Sequence, residues 1–558
     1  MMMRIITVTD NRSDDGSKKG MPRVDQIQAD IVIIGGGLGG VAAALAALRA
    51  GRTVVLSEQY DWLGGQLTSQ AVPADEHTWI EQFGANASYR QLRDGIRDYY
   101  RRNYPLTDGA RREVRLNPGA GLVSRICAEP RVAASVIDEL LAPHLSSGRL
   151  TVLRGMRPVS ATVDADRIQE VMLESVVDDA TLSVRGDYVL DGTETGELLP
   201  LTGTEYVVGA ESREMTGEPN AGDTYRPDNI QALSWCFVID HLDGQDHTID
   251  KPRDYDYWAA YQPDFWGARL LSLTGPHPRT LEIVTRTFTP TIDDDPFARI
   301  ADQRAGGGDE ELWTFRRILS RRMLEPGFLD SDIVLVNWPM IDYLDGSVID
   351  TPDAAQHLER ARQLSLSMLY WLQTEAPRPD GGSGWPGLRL RGDITGTQDG
   401  LAQAPYIRES RRIVSEFTVT ENHLSVAVRG DALPATFPDS VGVGMYRIDL
   451  HPSTGGDNYI DVPSVPFEIP LGCLLPVRMQ NLLPAGKNVG TTHLTNGAFR
   501  LHPVEWAIGE AAGWLAAFCL DRAVDPRAVR NTPPLLEEFQ SLLTLHGVEL
   551  HWPDVSGY

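Results

Sequence analysis

The sequence has few cysteines and no long apolar run. No stretch of 18 or more apolar residues is present, so no membrane-spanning helix is predicted. Residues 1–29 are polar and lack the apolar segment of a signal peptide, so we expect a disordered leader and a cytoplasmic protein. The cysteines lie far apart without a Cys-x-x-Cys spacing, which favours buried or free thiols over a disulfide framework: Cys127, Cys236, Cys473 and Cys519.

Basic residues are also fewer than acidic residues. The chain has 51 Lys and Arg against 77 Asp and Glu, which gives a formal net charge of -26. A field of that sign repels phosphate backbones and anionic lipids, so neither a nucleic-acid partner nor a membrane partner is expected. The acidic loops at Asp293–Asp295 and Gly306–Glu311 offer no convincing ligand set, and no metal is predicted. HExxH, P-loop and GxSxG motifs are missing, which leaves hydrolysis and phosphoryl transfer without support.

One glycine-rich motif stands in a full strand–turn–helix context. Asp30–Ile34 is a β-branched apolar run that predicts a buried parallel strand, and Gly35-Gly-Gly-Leu-Gly-Gly40 follows it directly. Val41–Ala50 is rich in alanine and leucine and predicts a helix. Thr53–Ser57 predicts a second strand, with Glu58 at its tip. This order is typical of a dinucleotide-binding unit.

Each part of that motif has a chemical role. Gly35 permits the tight turn, Gly37 lets the backbone approach a pyrophosphate, and Gly40 lets helix and strand pack closely. The helix N-terminus offers free N–H groups to phosphates, and Glu58 can accept ribose hydroxyls. By contrast Gly382–Gly387 fits the same pattern with neither strand nor helix around it, so a loop is predicted there. The motif alone leaves NAD and FAD open.

The following segments favour FAD. A glycine pair, Gly64-Gly65, suits a loop along an extended cofactor, and residues 76–120 form an insertion with a predicted helix at Tyr89–Tyr104. A helix at Arg131–Leu145 and a strand at Leu150–Leu153 resume the α/β pattern. Three strand-like runs then predict the β-meander of FAD folds of the glutathione reductase type: Val159–Val163, Ile168–Val176 and Leu182–Leu190.

The middle of the chain has a different pattern. From Trp235 to Leu471, short apolar runs alternate with Pro- and Gly-rich loops, which predicts a mostly antiparallel substrate domain with a helix at Asp353–Thr374. Three stretches are more polar than packing requires. "NWPMIDY" supplies the candidate catalytic residues Asn337 and Tyr343; "YIRESRRI" gathers arginines around Glu409, either as an ion-pair network or as a substrate clamp that includes Arg411; "MYRIDLHPS" ends in a predicted loop histidine, His451.

The late segment His493–Gly513 places polar residues ahead of a helix of small residues. Pro503 suits the first helical turn, so the N–H groups of Val504 and Glu505 are free to face a flavin and stabilise negative charge there. His493 and His502 flank this entrance, and either is a candidate base. Arg500 is expected to anchor the cofactor or to pair with an acid such as Asp191. Gly509, Gly513 and Ala517 recur every four residues and predict a bare face that packs on the first glycine loop.

Several motifs resemble one family. Asp191-Gly-Thr-Glu-Thr-Gly196, "LVNWPMIDY", "PYIRESRRI" and Asn481–Gly513 together resemble FAD-dependent oxidoreductases with the glutathione reductase-type fold, a group sometimes labelled xanthan lyase-like. The resemblance runs from residue 30 to about residue 520. It implies an FAD site formed by Gly35, Gly37, Leu38, Gly39, Gly40, Glu58, Gln59, Gly64, Gly65, Gln66, Arg157, Asp191, Gly192, Thr193, Gly486, Lys487, Arg500, Pro503, Val504 and Glu505.

One position departs from that family pattern. Many relatives have Gly-Asp at the late motif, where this chain has Gly486-Lys487. Either Lys487 contacts a phosphate directly, or backbone groups alone bind the cofactor there.

These observations predict an α/β fold, a Rossmann-type FAD-binding domain with an inserted, mostly antiparallel α+β substrate domain. The expected divisions are 1–29, leader; 30–234, first part of the FAD domain; 235–470, substrate domain; 471–525, last part of the FAD domain; and 526–558, C-terminal extension. The expected activity is hydride transfer from a small polar substrate, such as a sugar, alcohol or amine, to FAD, with oxygen or a carrier as acceptor. An NAD(P)H-using flavin monooxygenase and a non-catalytic FAD module are the alternatives.

Overall fold

The computed structural model describes residues 25–302 and 310–557. Its strands in chain order are β1 (Asp25–Ile34), β2 (Val54–Glu58), β3 (Leu150–Arg154), β4 (Met156–Asp164), β5 (Arg167–Ser175), β6 (Thr181–Asp191), β7 (Tyr206–Val207), β8 (Leu233–Ser234), β9 (Phe237–His241), β10 (Thr274–Pro276), β11 (Ile283–Thr285), β12 (Arg317–Leu319), β13 (Ile333–Val336), β14 (Asp342–Tyr343), β15 (Leu388–Leu390), β16 (Arg412–Ile413), β17 (Ser440–Gly444), β18 (Ile448–Leu450), β19 (Ile460–Val462), β20 (Phe467–Pro470) and β21 (Leu482–Pro484).

The helices in the described residues, in chain order, are α1 (Leu38–Arg49), α2 (Ala87–Asn103), α3 (Asp108–Arg112), α4 (Pro130–Ser146), α5 (Leu198–Thr202), α6 (Arg213–Thr216), α7 (Tyr255–Ala260), α8 (Pro296–Asp302), α9 (Leu312–Phe315), α10 (Ala354–Thr374), α11 (Gly392–Thr395), α12 (Glu421–Leu424), α13 (Val426–Arg429), α14 (His493–Phe499), α15 (His502–Arg522), α16 (Pro526–Asn531) and α17 (Pro533–Leu545). In this part of the chain, none of them has both the length and the apolar character needed to cross a bilayer.

A seven-stranded sheet is the frame of the fold. Strands β3, β2, β1, β6 and β21 run parallel to one another, in that order. The predicted buried strand is present because its β-branched residues Ile31–Ile34 are covered on both faces of the sheet. Strand β1 begins at Asp25 and not at Asp30, since its first residues also pair with β6. Residues 1–24 of the predicted leader lie outside the described residues.

The predicted β-meander is confirmed. Strand β6 is long enough to pair on one edge with two partners: its first half pairs with β5 in antiparallel fashion, and its last residues pair with β21. Strand β4 follows β5 at the edge of the sheet. Helix α2 lies in the predicted insertion, and α4 leads into β3, both within two residues of the predicted bounds. The α/β class and the Rossmann-type arrangement are therefore confirmed.

The middle of the chain builds small antiparallel sheets, as predicted. The largest has the order β12–β13–β9–β15, and all three of its pairings are antiparallel. Helix α10 packs on this region and begins one residue later than predicted. The loop predicted at Gly306–Glu311 lies largely outside the described residues. The four cysteines are buried and free, as expected.

Helix α15 packs directly against α1, backbone to backbone. A Cβ atom added at Gly509 would lie 2.0 Å from the carbonyl oxygen of Gly39, and one added at Gly513 would lie 2.3 Å from that of Ala43. No side chain larger than hydrogen fits at these two positions. The predicted small-residue face therefore touches α1 itself as well as the glycine loop that precedes it.

Residues 526–557 pack onto the same body. The His546 ring stacks on Trp514 of α15, with ring centroids 4.1 Å apart. Trp552 packs with Val443 and Met445 of the β17 region. Residues from α16 to Gly557 thus contact both helix α15 and the middle segment.

Substituting Gly509 with alanine should destabilise the protein. The added methyl group would force α15 away from α1, and overpacking of this kind costs about 1–3 kcal/mol. A drop in melting temperature is the expected result. Gly222→Ala is the matched control, because a Cβ there meets no atom closer than 3.9 Å. Equal melting temperatures for the two variants would contradict the packing argument.

Candidate active site

Three backbone turns meet at the carboxyl end of the parallel sheet. Gly35 has φ +92°, and a Cβ atom there would lie 2.4 Å from the backbone of Gly192 and Thr193. The N–H of Gly64 donates to the carbonyl of Gly36 at 2.7 Å. The first glycine loop, the loop after β6 and the glycine pair therefore converge as the predicted cofactor site requires.

Glu58 ends β2 inside this convergence. Its Oε2 accepts from the Gly36 N–H at 2.9 Å and its Oε1 from the Tyr60 N–H at 3.0 Å. Burial raises the pKa of Glu58 to about 8, although these backbone donors act in the opposite direction. A cavity opens beside it, lined by Gly35, Gln59, Tyr60, Gly65, Thr193 and Glu194 among others.

A narrow gap, the anion cradle, lies between the backbones of Gly37 and Gly65. A Cβ atom on Gly65 would lie 3.0 Å from the Gly37 Cα and 2.3 Å from Oε1 of Glu194. Only hydrogens line the two backbone walls, and the N-terminus of α1 faces the gap, which suits an anion. Oε1 of Glu194 is buried there and has no hydrogen-bond partner in the described part of the chain.

Lys487 lies beside the carboxylate of Glu194 that borders the cradle. Its ammonium pairs with Glu194 and lies 3.7 Å from Oε2 of Glu505. Burial would lower the pKa of Lys487, but these two carboxylates outweigh it and raise the pKa. Gly486 precedes it without a side chain. The departure from the family pattern therefore places a cation within reach of the anion cradle.

The entrance of α15 completes the site. The helix begins at His502, one residue before the predicted start at Pro503, and no side chain caps its first N–H groups. The N–H of Glu505 is not free as predicted, because it donates to the carbonyl of Leu501 at 2.8 Å. Gln66 donates from Nε2 to the carbonyl of Arg500 at 2.9 Å and also bonds Glu505. Oε1 of Gln66 and Oδ1 of Asn488 are buried without partners in the described residues. Glu505 Oε1 in turn accepts a long bond from the Gly39 N–H, at 3.4 Å.

Asp191 shapes the loop after β6. Its carboxylate accepts from the hydroxyl of Thr193 at 2.6 Å, from the N–H of Thr193 at 3.0 Å and from the N–H of Leu198 at 3.2 Å. Burial raises its pKa to about 6. Arg500 does not pair with it, contrary to one expectation, because the Arg500 side chain is directed to Tyr406 and Asp449 instead.

Arg157 does not face the cofactor site. Its neighbours Met156 and Pro158 line the cavity, and side chains alternate along a strand, so Arg157 points the other way. There it pairs with Glu174 at 2.8 Å, about half exposed. The role of Arg157 in cofactor binding therefore stays a prediction, which this ion pair does not support.

His502 is engaged at both ring nitrogens. Its Nδ1 accepts from the N–H of Asp75 at 3.1 Å, so its Nε2–H donates to the carbonyl of Val72 at 3.2 Å. Burial, helped by the charges of Lys487 and Arg500, lowers the pKa of His502 to about 3. The ring therefore fixes the 72–75 segment against α15, and this arrangement leaves no ring nitrogen for proton transfer.

His493 belongs to a buried ion-pair chain. Its Nδ1 lies 3.0 Å from both carboxylate oxygens of Glu409, and Arg412 bridges Glu409 to Glu211 at 2.6 and 2.9 Å. Burial would raise the pKa of Glu409, but its pairing with His493 and Arg412 brings that pKa down to about 2. The "YIRESRRI" stretch is accordingly an internal ion-pair network.

A second carboxylate–imidazole pair, Asp342 and His451, joins residues that are distant in sequence. Asp342 accepts from Ser234 at 2.6 Å, pairs with Arg408 at 3.1 Å and lies 2.6 Å from Nδ1 of His451. Burial and Arg408 lower the pKa of His451, while Asp342 opposes them. The sequence signals were the polar stretches "NWPMIDY" and "MYRIDLHPS", but not their pairing, because the four segments that meet here are far apart in sequence.

Tyr406 links this pair to the cofactor site. Its hydroxyl accepts from Arg500 at 2.9 Å, and the Arg408 guanidinium lies 4.8 Å from its ring centroid. Asn337 approaches Arg408 at 3.5 Å, and Asn337 Nδ2 is buried without a partner in the described residues. Arg500, Tyr406, Arg408, Asp342 and His451 thus form one continuous polar row that starts beside Gln66.

Two predicted catalytic residues lie outside this row. Tyr343 bonds His357 at 2.8 Å and packs on Trp258 in an aromatic cluster. Arg411 pairs with Asp350 at 2.7 Å and donates to the Thr195 carbonyl. Both side chains are occupied by other protein groups. Within the described ranges, no group of three or more His, Cys, Asp or Glu residues is placed to bind a metal ion.

The residues present fit FAD. A single Cβ atom on Gly65 would close the cradle between Gly37 and Gly65. The side-chain oxygens of Gln66 and Asn488 are buried and could accept hydrogen bonds from a ligand. Glu58 offers carboxylate oxygens beside the cavity, and the α15 N-terminus offers free N–H groups. These groups match a ribose, a diphosphate and the polar edge of a flavin ring.

Comparisons with known proteins agree. The sequence pattern of a family described as "FAD dependent oxidoreductase" matches residues 30–543. A comparison with curated protein sequences gives no match.

Three solved structures show distant likeness. A geranylgeranyl bacteriochlorophyll reductase-like protein from Thermoplasma acidophilum is 11% identical, over 94% of this chain and 85% of that one, with a TM-score of 0.29. OxyS anhydrotetracycline hydroxylase from Streptomyces rimosus is 12% identical, over 93% and 66%, with a TM-score of 0.31. L-proline dehydrogenase from P. horikoshii is 15% identical, over 34% of this chain and only 25% of its own length, with a TM-score of 0.16. Values this low say nothing about substrate or reaction.

Removing the charge of Glu194 should strengthen FAD binding. Its carboxylate lies in the cradle that suits the diphosphate, and like charges repel, whereas Lys487 is freed once the ion pair is lost. We expect Glu194→Gln to lower the Kd for FAD about tenfold, equivalent to about 1.4 kcal/mol. Quenching of FAD fluorescence on titration with apoprotein measures this, with Glu174→Gln on β5 as control. A weaker or unchanged affinity would show that Glu194 does not oppose the cofactor.

His502 should make stability depend on pH. The unfolded chain binds a proton at this residue near pH 6.5, whereas the folded chain does so only near pH 3. Acid therefore favours unfolding, by about 2 kcal/mol for this group between pH 6.5 and about pH 5. His502→Gln keeps an acceptor and a donor but cannot titrate, so its unfolding free energy in urea should fall less over this interval. Identical slopes for the two proteins would refute the assignment.

Proposed function

Because the chain belongs to the FAD dependent oxidoreductase family, we propose that it oxidises a small polar substrate, such as an alcohol, a sugar or an amine. FAD, when bound, supplies the acceptor for the hydride and its two electrons. The observation that supports this proposal is the polar row from Arg500 to His451, which links the cofactor site to a buried carboxylate–imidazole pair.

The first task of the protein is to bind the cofactor. The Gly35–Gly40 loop and the N-terminus of α1 would hold the diphosphate, with Lys487 as the neighbouring cation. Glu58 would accept the ribose hydroxyls. The glycine pair and Gln66 would follow the ribityl chain, and the α15 N-terminus would stabilise negative charge on the reduced ring.

The second task is to remove a proton from the substrate, which we assign to His451. Because Nδ1 faces the Asp342 carboxylate at 2.6 Å, the Nδ1–H donates and Nε2 keeps its lone pair. Burial keeps the pKa of His451 below its usual value, so the ring is neutral and able to accept a proton at neutral pH. Arg408 holds Asp342 in place from the other side.

The role predicted for His493 remains a prediction. Its Nδ1 is bound to Glu409 in the same manner, so its Nε2 is also a possible proton acceptor. However, its contacts lead to Arg412 and Glu211 and not to Tyr406 or Arg500. We therefore favour His451 as the base, and His493 as a residue that positions the "YIRESRRI" stretch.

His451→Gln should slow flavin reduction at least a hundredfold, because general bases contribute about 10²–10⁴-fold. The measurement is bleaching at about 450 nm after anaerobic mixing with sugars, alcohols and amines, with FAD content checked for each variant. His247→Gln, a surface histidine bonded to Gln245, is the matched control.

His493→Gln should reduce the rate far less than His451→Gln. The reverse order would move the base to His493. If no substrate in the panel bleaches the wild-type flavin, oxidation of this substrate class is wrong.

A further inference from the structure

Buried hydrogen-bond donors without acceptors surround the pair formed by Asp342 and His451. Within the described residues, these donor atoms have no hydrogen-bond partner, and they belong to four different side chains: Arg408 Nε, Asn337 Nδ2, Gln231 Nε2 and Tyr459 Oη. Unpaired buried polar atoms also occur elsewhere in this part of the chain, as Trp385 Nε1 does, but here four of them meet at one ion pair. Burying a donor without an acceptor is costly, so this concentration indicates a ligand that supplies acceptors.

Two of these donors lie on the Asp342 side of the pair. Arg408 forms an ion pair with Asp342 at 3.1 Å. The side-chain oxygen of Asn337 accepts a long hydrogen bond from Nη2 of Arg408, at 3.5 Å. Because the oxygen of that amide faces Arg408, its Nδ2 is left to donate elsewhere.

The other two donors lie on the His451 side. Oε1 of Gln231 accepts from the backbone N–H of His451 at 3.3 Å, which leaves Nε2 as the unpaired end of the amide. The Tyr459 ring packs on the imidazole, with ring centroids 5.6 Å apart. The His451 side chain is 18% exposed, whereas that of Asp342 is fully buried, so a ligand reaches the pair at the imidazole.

The charges along the polar row are already paired. Arg408 pairs with Asp342, and at the other end Arg500 lies 3.8 Å from the carboxylate of Asp449. Burial raises the pKa of Tyr459, so its hydroxyl keeps its proton and can donate. Donors without an excess of charge suit neutral oxygen acceptors. An alkylammonium ion would bring only further donors to this place.

We propose that the substrate is a polyol or a sugar, whose hydroxyl oxygens accept hydrogen bonds from Tyr459, Gln231 and Asn337 beside His451. One hydroxyl gives its proton to Nε2 of His451 and its carbon gives the hydride to FAD, while these donors hold the neighbouring oxygens. The inference rests on the proposed function for the reaction, and it narrows the substrate to compounds with several hydroxyl groups. Binding of such a compound can be measured without turnover.

The first test compares probes of matched size on the FAD-loaded protein. Sorbitol and myo-inositol are titrated while the visible spectrum of the flavin and the melting temperature are recorded. 1-Hexanol and cyclohexanol are the counterparts with a single hydroxyl, and cyclohexylamine is the cationic counterpart. At least one polyol should bind with a Kd at least tenfold lower than that of its counterpart. A smaller ratio for both pairs, no response to either polyol, or tighter binding of cyclohexylamine would overturn the proposal.

The second test removes one donor atom. Tyr459→Phe should raise the Kd of the responding polyol at least tenfold. Its melting temperature without the polyol should be equal to that of the wild type or higher, because an unsatisfied buried hydroxyl does not stabilise the fold. Tyr100→Phe is the matched control, since that buried hydroxyl donates to Glu129 at 2.9 Å. It should lower the melting temperature and leave the Kd within twofold.

A second variant covers the case in which Tyr459→Phe does not retain FAD. Asn337→Leu has a similar size and removes Nδ2, so it should also raise the Kd of the polyol at least tenfold. An unchanged Kd in whichever variant retains FAD would refute the site. Neither test depends on flavin reduction, so this proposal and the assignment of His451 as the base can fail separately.

Discussion

The contact between α1 and α15 is the constraint on which the cofactor site depends. Hydrogen atoms are the only side chains that fit where Gly509 meets Gly39, so two helix backbones touch. This contact brings Glu505 and the α15 N-terminus to the glycine loop after β1, 466 residues earlier in sequence. The glycine loop after β1 and the start of α15, the two ends of the proposed cofactor site, are thereby fixed relative to each other by close-packed main chain.

Buried charge is the second theme of the structure. Most internal cations form ion pairs with carboxylates, as Arg412 does with Glu409 and Glu211. Desolvation makes each of these ions costly, so the pairs are held by several hydrogen bonds and contribute little net stability. These ion pairs instead fix the orientation of the chain segments that they join.

Local signals made the cofactor domain predictable. The β-branched run, the glycine loop and the alanine-rich helix are contiguous, and their periodicity reports burial directly. The site beyond them was less accessible, because Asp342 and His451 become neighbours only through tertiary packing. Arg157 illustrates a finer limit: a one-residue shift along a strand reverses the side-chain direction. His502 shows that a histidine at a helix N-terminus can use both ring nitrogens in hydrogen bonds to the backbone.

Strand β21 and helix α15 close a sheet whose first strand is made hundreds of residues earlier. During synthesis at about 5–20 residues per second, β1 and α1 would leave the ribosome roughly half a minute or more before α15. Until then the edge of β6 and the apolar face of α1 have no partner, and such surfaces promote aggregation. Coverage of α1 by chaperones, or early capture of the nucleotide by the N-terminal strands, would therefore bear strongly on the yield of folded protein.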